Sequence, residues 1–334
     1  MRVEQIDFEA WERALPDSGF EVFHLPGALR VLADHTDADL ELYAGYKGDQ
    51  PVALLPVFVT RPPVGTVVQS PPPSLGVPRL GPVLMPNSPK KRKREKLNQT
   101  FTEAVAEHFS VDSSLTLLRL VCNASYTDPR PYAWLDLRTE TLFTYCLDID
   151  GTDLDSIRSE FSSSLRREIR DAADLDVSVE LEGMEGVREI HDDTASRFAE
   201  QDESYTRSWD YVRDLAETLD ERCRAYVVRG PDGEYISGVT VLYSNDMAYF
   251  WQGGTRGTYE GTSVNSLVHW HIIEDIAAGD PVDSVGQYDL MGANTERLCR
   301  YKSKFGADLV PYYLVETESA SMDVAKRAYQ LVNQ

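Results

Sequence analysis

The sequence predicts an α+β protein made of two tandem domains, each a mixed, mostly antiparallel sheet flanked by helices. Three observations predict this class. The chain has 334 residues, which is more than one typical domain needs. Two distant segments share a hairpin pattern, and the second half of the chain alternates strands and helices in a definite order. We place the boundary near residue 150, which gives domains 1–150 and 151–334.

The two hairpin segments are the clearest local signals. They read YAGYKGDQPVALLPVFV (43–59) and AYVVRGPDGEYISGVTVLYS (225–244). Asp and Gly at both turns supply side-chain hydrogen bonds and positive φ, which tight hairpins require. A helix-like stretch and a further apolar strand follow each hairpin, so the halves resemble diverged repeats of about 150 residues.

In the first half, KKRKREKLNQTFTEAVAEHF predicts a helix, since Leu97, Phe101, Val105 and Phe109 recur on one face. The strands SLTLLRLVC and FTYCLDI (143–149) follow, and we expect the second of these to close the half. The basic run at 90–96 is interpreted either as a solvated helix start or as a contact for RNA or another acidic surface.

The second half begins with a predicted single helix over 155–174, whose apolar stripe is Ile157, Phe161, Leu165 and Ile169. Four arginines lie away from this stripe. Two interpretations stay open for them, a solvated face with Glu–Arg pairs or a surface that recognises anions. The rest of this half predicts the order β-α-α-β-β-β-α-β-α-β.

Composition limits the function classes. The net charge is −22, which argues against broad nucleic-acid and DNA binding. It indicates either adaptation to high intracellular salt, which we favour, or an acidic partner-binding surface. Four dispersed cysteines predict small buried side chains, and His269 and His271 do not form a metal pair, so we expect no metal. The chain has neither a long apolar run nor an apolar leader, so we expect a cytoplasmic protein without a membrane span.

Several stretches together resemble a known family. They are ETLFTYCLDI followed by SSSLRREIRDA, then SVNSLVHWHIIEDIAAG, YDLMGAN and RLCRYKSKFGADLV. Their order resembles the FemAB-like branch of the GNAT acyltransferases, including its CelD-like or BioF2-like members, over about residues 140 to 316. The resemblance implies tandem GNAT domains and transfer of an acyl group to an amine.

The resemblance also implies a donor site. In GNAT domains a bulged central strand parts from its neighbour and binds the donor arm, and the next loop binds phosphates. Here that loop is WQGGTRGTYEGTS (251–263), and Thr262 and Ser263 are candidate N-caps of the following helix. The family's phosphate motif is not matched in register. The predicted donor-binding residues are Gly253, Gly254, Arg256, Gly257, Gly261, Thr262 and Ser263.

Two residues are predicted to be catalytic. Lys302 occupies the lysine position of an element that resembles FK-x-x-FG of FemAB-like transferases, where the lysine stabilises an oxyanion or binds donor phosphate. No lysine lies between Lys96 and Lys302, and a compact ammonium suits either oxygen. Asp289 resembles the D-x-x-G segment and is predicted as a general base or an orienter of the amine. Its alternative role is to cap the following turn or to pair with a cation.

The predicted acceptor-binding residues are Arg197, Tyr205, Trp251, Gln252, Asn265 and, at the periphery, Lys304. The sequence thus predicts a monomeric or homodimeric N-acyltransferase with no permanently bound cofactor and acyl-CoA as its co-substrate. The expected acceptor is an amine of a sugar, peptide or cell-envelope polysaccharide precursor. The alternatives are a tRNA-dependent aminoacyl ligase and a non-catalytic binding protein on a decayed GNAT fold. The N-terminal domain is expected to be degenerate.

Overall fold

A computed structural model describes residues 1–254 and 257–317. The chain forms two compact units. Among the described residues, unit 1 comprises Met1–Pro73, Val77–Leu142 and 311–317, and unit 2 comprises Ser74–Gly76 and Phe143–Val310. None of the helices in the described ranges is both long and apolar enough to cross a bilayer.

Residues 175–317 follow the predicted order β-α-α-β-β-β-α-β-α-β, with one additional short hairpin before the helix that begins at Asn265, whereas two helices before residue 35 were not predicted. The first half contains β1 (Arg2–Ile6), α1 (Phe8–Ala14), α2 (Pro26–Asp34), β2 (Asp39–Lys47), β3 (Gln50–Thr60), β4 (Thr66–Ser70), β5 (Val83–Leu84), α3 (Lys91–His108), β6 (Thr116–Val121) and α4 (Arg130–Ala133). The second contains β7 (Arg138–Asp148), α5 (Leu154–Glu160), α6 (Ser163–Ala173), β8 (Ser178–Glu182), α7 (Met184–Glu200), α8 (Trp209–Leu219), β9 (Cys223–Arg229), β10 (Tyr235–Tyr243), β11 (Met247–Gly253), β12 (Thr258–Tyr259), β13 (Thr262–Ser263), α9 (Asn265–Ala277), β14 (Gln287–Asp289), α10 (Glu296–Lys302) and β15 (Asp308–Glu316).

The two units have the same sheet topology. The strand order is β1-β2-β3-β4-β6-β15 in unit 1 and β8-β9-β10-β11-β14-β7 in unit 2. The pair β4/β6 and the pair β11/β14 are parallel, and the other neighbours within these orders are antiparallel. The prediction of a mixed, mostly antiparallel sheet flanked by helices is therefore confirmed.

The last strand of each sheet does not come from the half of the chain that we expected. The segment 143–149 belongs to unit 2, where β7 pairs with β14, although we expected it to close the first half. Conversely, β15 follows the second half in sequence but pairs with β6 of unit 1. Hydrogen bonding between strands, and not their distance along the chain, decides this assignment, so the compact units differ from the predicted domains 1–150 and 151–334.

The helix predicted over 155–174 is two helices. Phe161 is extended (φ −66°, ψ 145°) and ends α5, and Ser162 caps α6 by accepting a hydrogen bond from Leu165 N at 3.2 Å. The apolar stripe continues across the break because Phe161 and Leu165 enter the same core. The period alone did not reveal the break, although a serine followed by a helical run is a capping signal.

Each unit has its own apolar core. In unit 1, α3 packs Phe101 and Val105 against the sheet, together with Val315 of β15. In unit 2, α6 and α9 cover one face of the sheet through residues such as Leu165 and Ile272. Helices α7 and α8 carry further buried side chains and contact β9, so the central strands of unit 2 lie between two helical layers.

Candidate functional site in unit 2

The parallel strands β11 and β14 part after three residue pairs. Met247, Ala248 and Tyr249 pair with Gln287, Tyr288 and Asp289, and then β11 continues through Phe250–Gly253 without pairing to β14. In unit 1, by contrast, all five residues of β4 pair with β6. We call the region between Phe250–Gly253 and the turn Leu290–Gly292 the wedge.

A β-bulge lies on the part of β11 that borders the wedge. Thr240 pairs with Gln252, but the next residue, Val241, pairs with Phe250, so Trp251 is the extra residue. A bulge re-aims side chains and bends its strand, and bulges are frequent beside active sites. It places the side chains of Trp251 and Gln252 beside Thr240.

Lys302 extends from the end of α10 into the wedge. Its Nζ donates to the carbonyls of Met291 and of Gly292, the latter at 3.3 Å, and lies 5.6 Å from the ring centroid of Phe250. The side chain is buried, and this burial lowers the pKa of Lys302 to about 8, while the charge of Asp289 acts in the opposite direction. The ammonium therefore lies between the diverging ends of β11 and β14.

Asp289 is the last residue of β14 and is fully buried. Its Oδ1 accepts hydrogen bonds from Thr144 Oγ1 at 2.5 Å and from the backbone N of Met291 at 2.7 Å. Met291 has a positive φ of 58°, which is uncommon for a side chain of this type. Asp289 thus makes the turn-capping contact that the sequence left open as its alternative role.

Buried polar atoms without partners border the bulge. Thr240 Oγ1, Trp251 Nε1 and both polar atoms of the Gln252 side chain form no hydrogen bond within the described ranges. Gln252 is 3% exposed and Trp251 is 4% exposed. A buried polar group without a partner costs free energy, so this concentration marks a place where a bound molecule can supply the missing bonds.

Arg207 joins the aromatic residues beside this polar set. Its guanidinium carbon lies 5.6 Å from the ring centroid of Trp251 and 5.7 Å from that of Tyr205. Tyr211 of α8 packs on Trp251 with ring centroids 6.3 Å apart, and Arg207 donates to Gly76 O at 3.2 Å. The structure thus brings the predicted residues Tyr205, Trp251 and Gln252 to one place. Arg207 was not predicted from the sequence. It lies far along the chain from Trp251 and Gln252, so no local pattern indicates that it lies close to them.

Two other predicted acceptor residues are engaged elsewhere. Arg197 forms an ion pair with Asp193 one helical turn away, at 3.2 Å. Lys304 forms an ion pair with Glu168 at 2.8 Å, and both of these side chains are about one-third exposed. Among the contacts of the described residues, neither cation reaches the wedge.

The glycine-rich loop leaves β11 through two glycines with positive φ, Gly253 (93°) and Gly254 (66°). Asn265 at the start of α9 holds this turn, because its Nδ2 donates to Gly254 O at 3.0 Å while its Oδ1 accepts from Ser237 Oγ at 2.7 Å. Gly257 O accepts from Val264 N at 3.1 Å. Arg256 lies outside the described residues.

The expectation that Thr262 or Ser263 caps α9 is wrong. Both residues form β13, which pairs with β12 around a tight turn containing Gly261 (φ 80°). The N-cap residue is Val264, whose side chain cannot accept a hydrogen bond, and α9 therefore begins without a side-chain cap. Because both residues pair within the β12/β13 hairpin, their hydroxyl groups do not cap the start of α9.

His269 of α9 is a second group that sequence reasoning did not assign to the site. Its Nδ1 lies 2.9 Å from Tyr288 OH, and its ring packs on Phe250 with centroids 4.8 Å apart. Burial and then the charge of Lys302 lower the pKa of His269 to about 3, so the imidazole is neutral at pH 7. Within residues 1–254 and 257–317, no group of three or more His, Cys, Asp and Glu side chains is arranged to hold a metal ion.

Comparisons with known proteins agree with this geometry. Residues 159–303 match the family model described as an acetyltransferase (GNAT) domain. Among solved structures, the chain is similar to FemX, with a TM-score of 0.66, 12% identity and 100% of each chain covered. It is also similar to L-PGS from Bacillus licheniformis, with a TM-score of 0.55, 12% identity, and 96% and 95% covered. No curated protein matches the chain by sequence.

A tandem GNAT protein from the clavulanic acid biosynthesis pathway is similar as well, with a TM-score of 0.50 and 13% identity over 94% of this chain and 97% of that one. The matched residues 159–303 contain the bulged strand β11, the parted pair β11/β14 and all of α10. Residues 159–303 therefore carry a GNAT acetyltransferase domain, and the chain shares its fold with FemX and with the tandem GNAT protein.

Proposed function

We propose that unit 2 transfers an acyl group from a thioester or ester donor to a primary amine, with the reacting carbonyl held in the wedge. The observation that carries the proposal is the parting of β11 from β14. Phe250–Gly253 present an extended backbone that does not pair with β14, and such a backbone can bind an extended donor arm as an added strand would.

The turn after β11 is the proposed binding site for the donor's phosphates. Gly253 and Gly254 let the backbone approach a ligand closely, and Asn265 holds Gly254 in place. The uncapped start of α9 adds backbone N–H groups and the positive end of the helix dipole. Gly257 and Gly261 remain proposed donor contacts.

The acceptor is proposed to bind on the opposite side of β11, near Trp251, Gln252 and Tyr205. The unpartnered amide of Gln252 and indole N–H of Trp251 would bind polar atoms of the acceptor. Arg207 stacks between aromatic rings and can present its remaining N–H groups to a carboxylate or phosphate. Amines of sugars, peptides and envelope precursors fit this polar and aromatic lining.

The reaction follows from these positions. The amine must first lose a proton, because an ammonium has no lone pair. Its nitrogen then attacks the carbonyl carbon, the C–N bond forms, and negative charge develops on the carbonyl oxygen. The C–S or C–O bond to the donor breaks, the nitrogen loses its second proton to give a neutral amide, and the departing thiolate or alkoxide takes up a proton.

Lys302 is proposed to stabilise the oxyanion. An ammonium has three N–H donors, and the contacts in the described residues occupy two of them. Asp289 is proposed to position Lys302 and the turn. A general base has to reach the amine, whereas this carboxylate is fully buried and binds Thr144 and Met291.

Unit 1 is proposed to be the degenerate copy. Its corresponding parallel pair is closed, since each of the five residues from Thr66 to Ser70 pairs with β6. The isolated bridge between Leu80 and Cys122 extends the contact of β6 further. A donor arm therefore has no free strand edge at this place in unit 1.

Acyl-CoA is the proposed donor, and an aminoacyl ester of tRNA is the second candidate. The run from Lys90 to Lys96 favours the second, because its basic side chains are exposed at the start of α3. Cations are unfavourable at this end of a helix, so the run is not explained by helix stability.

The test is transfer of label from acyl-CoA, and separately from aminoacyl-tRNA, to a panel of amino sugars and amino-terminal peptides, followed by mass spectrometry. Lys302→Met is expected to lower kcat by about 10²- to 10³-fold, as loss of one oxyanion donor does, with little change in KM. Arg300→Met on the same helix removes an exposed charge and is expected to leave kcat unchanged.

The pH profile separates the role of Lys302 from a purely structural one. Because an oxyanion needs the charged amine, kcat should fall as the pH rises through about 8, the pKa of Lys302. Lys302→Arg should extend activity to higher pH. Absence of transfer from both donor classes would refute the proposal, and transfer from aminoacyl-tRNA alone would replace acyl-CoA as the donor.

A further inference from the structure

Four arginines that the acyl-transfer site does not use line one groove on unit 2. The cavity has a volume of about 440 Å³ and is lined by Arg158, Ser163, Arg166, Arg167 and Arg170. These side chains come from the last turn of α5 and the outward face of α6, opposite the buried residues of that helix. We call this cavity the arginine groove.

The arginines of the groove are not neutralised as other arginines of unit 2 are. Arg229 pairs with two glutamates, and Arg224 pairs with Asp280. In the groove, Arg170 pairs with Asp171, whereas no ion pair forms at Arg158, Arg166 or Arg167 within the described part of the chain. Of the two interpretations that the sequence left open, the Glu–Arg pairs of the first are absent at these arginines within the described residues.

Two of these arginines are held in place without losing their charge. The guanidinium of Arg158 lies 5.6 Å from the ring centroid of Trp270, and Arg166 donates to Ser159 O at 2.9 Å. Stacking and a carbonyl contact orient a guanidinium and leave other N–H groups to bind a ligand. Arg166 and Arg167 also lie near the start of α6, where cations oppose the helix dipole and acidic residues are absent from the first turn.

We propose that the arginine groove binds a diphosphate group, as carried by a nucleotide or as free pyrophosphate. A diphosphate carries more than one negative charge at neutral pH, and guanidinium groups bind phosphate oxygens in a bidentate manner. The volume lies within the range of about 300 to 1,000 Å³ that small-molecule sites occupy, and a concave site favours a small ligand over an extended nucleic-acid backbone. The groove lies outside the glycine turn and does not depend on the proposed acyl transfer.

Titration calorimetry at low ionic strength tests the proposal with inorganic pyrophosphate as the probe. We expect saturable one-to-one binding to the full-length protein. The variant Arg166→Gln/Arg167→Gln should bind at least about tenfold more weakly, since a hydrogen bond to a charged group contributes about 1.5–3 kcal/mol. The matched control, Arg213→Gln/Arg300→Gln, removes the same charge from two exposed, ion-paired helix arginines of unit 2 and should bind as the unmodified protein does.

Competition identifies the source of the diphosphate. Displacement of pyrophosphate by ADP or by CoA at lower concentration than by inorganic phosphate supports a nucleotide ligand, and equal displacement supports a free anion. Equal weakening in both double variants, or no saturable binding to the unmodified protein, would overturn the proposal. Groove-dependent binding of a tRNA without binding of pyrophosphate would overturn it in favour of RNA. These measurements need no turnover, so their outcome is independent of the acyltransferase test.

Discussion

At the scale of single residues, Lys302 combines a buried position with a charge that the fold partly disfavours. Burial lowers its pKa to about 8, whereas an unfolded lysine titrates near 10.5. Between these values the unfolded chain binds more protons than the folded one, so the free energy of unfolding should rise with pH over this interval. Below about pH 8 both states are protonated and the cost of burying the charge is fully present.

Lys302→Met should remove this dependence. We expect chemical denaturation of the unmodified protein to show a rise in the free energy of unfolding between pH 7 and 9.5 that the variant lacks. The difference between the two proteins is the quantity to measure, because other groups titrate equally in both. A difference that stays constant over this range would contradict the burial of a charged amine at this position.

His269 predicts a pH dependence of stability in the same direction as that of Lys302, but at acidic pH. Its pKa is about 3 in the folded protein, while an unfolded histidine titrates near 6.5. The unfolded state therefore takes up a proton first as the pH falls, and the contribution of His269 to stability is lost progressively from about pH 6.5 towards 3. His269→Gln, which retains an acceptor for Tyr288, should show a shallower loss. Denaturation at pH 7, 5.5 and 4.5 measures it, and parallel curves would refute the assignment.

At the scale of elements, the end of β11 requires glycine at position 253, both for its backbone conformation and for the space around it. Gly253 has φ 93°, and a Cβ there would lie 2.3 Å from Gly238 O. Gly261 also has a positive φ, 80°, but no described atom lies within 4 Å of its Cβ position. Substitutions at Gly261 and Gly253 therefore distinguish the cost of backbone strain alone from the cost of strain together with steric overlap.

Gly261→Ala should therefore cost about 1 to 2 kcal/mol of stability, the usual cost of a left-handed conformation. Gly253→Ala should cost more, about 3 kcal/mol or above, because β10 and β11 must also move apart. Thermal and chemical denaturation measure both effects. Equal losses in the two variants would show that the packing between Gly253 and Gly238 is looser than described.

The individual elements were largely predictable because their signals are local. The hairpins and the apolar stripe through Leu165 depend on residues a few positions apart. The break at Phe161–Ser162 and the pairing of Thr262 with Tyr259 were missed. In the first case a serine cap interrupts an apolar pattern that also fits one continuous helix. In the second case hairpin pairing engages residues that would also fit the N-cap of a helix.

At the scale of the whole molecule, the exchange of final strands has a consequence for folding. Unit 1 contains β15, whose Leu314, Val315 and Glu316 pair with β6 and whose Val315 lies in the core. A fragment of residues 1–150 lacks this strand, so the edge of β6 and part of the core are left exposed. We expect this fragment to aggregate or to unfold without cooperativity.

Joining residues 308–317 to that fragment through a flexible linker should restore a cooperative transition. Circular dichroism during chemical denaturation compares the two fragments directly, and a linked version with scrambled 308–317 is the control. Identical cooperative transitions with and without β15 would contradict the assignment of this strand to unit 1.

By itself the sequence determined the order of the main elements of the second half, the mixed sheets and the candidate lysine near the end of that half, because periodicity, turn residues and short motifs are encoded in neighbouring positions. Only the tertiary structure decided which strands complete each sheet, which parallel pair is open, and that Arg207 and His269 join the site. It also decided that Asp289 caps a turn and that Thr262 pairs in a hairpin. These outcomes depend on hydrogen bonding and burial between residues far apart in the chain, for which a single sequence carries no local pattern.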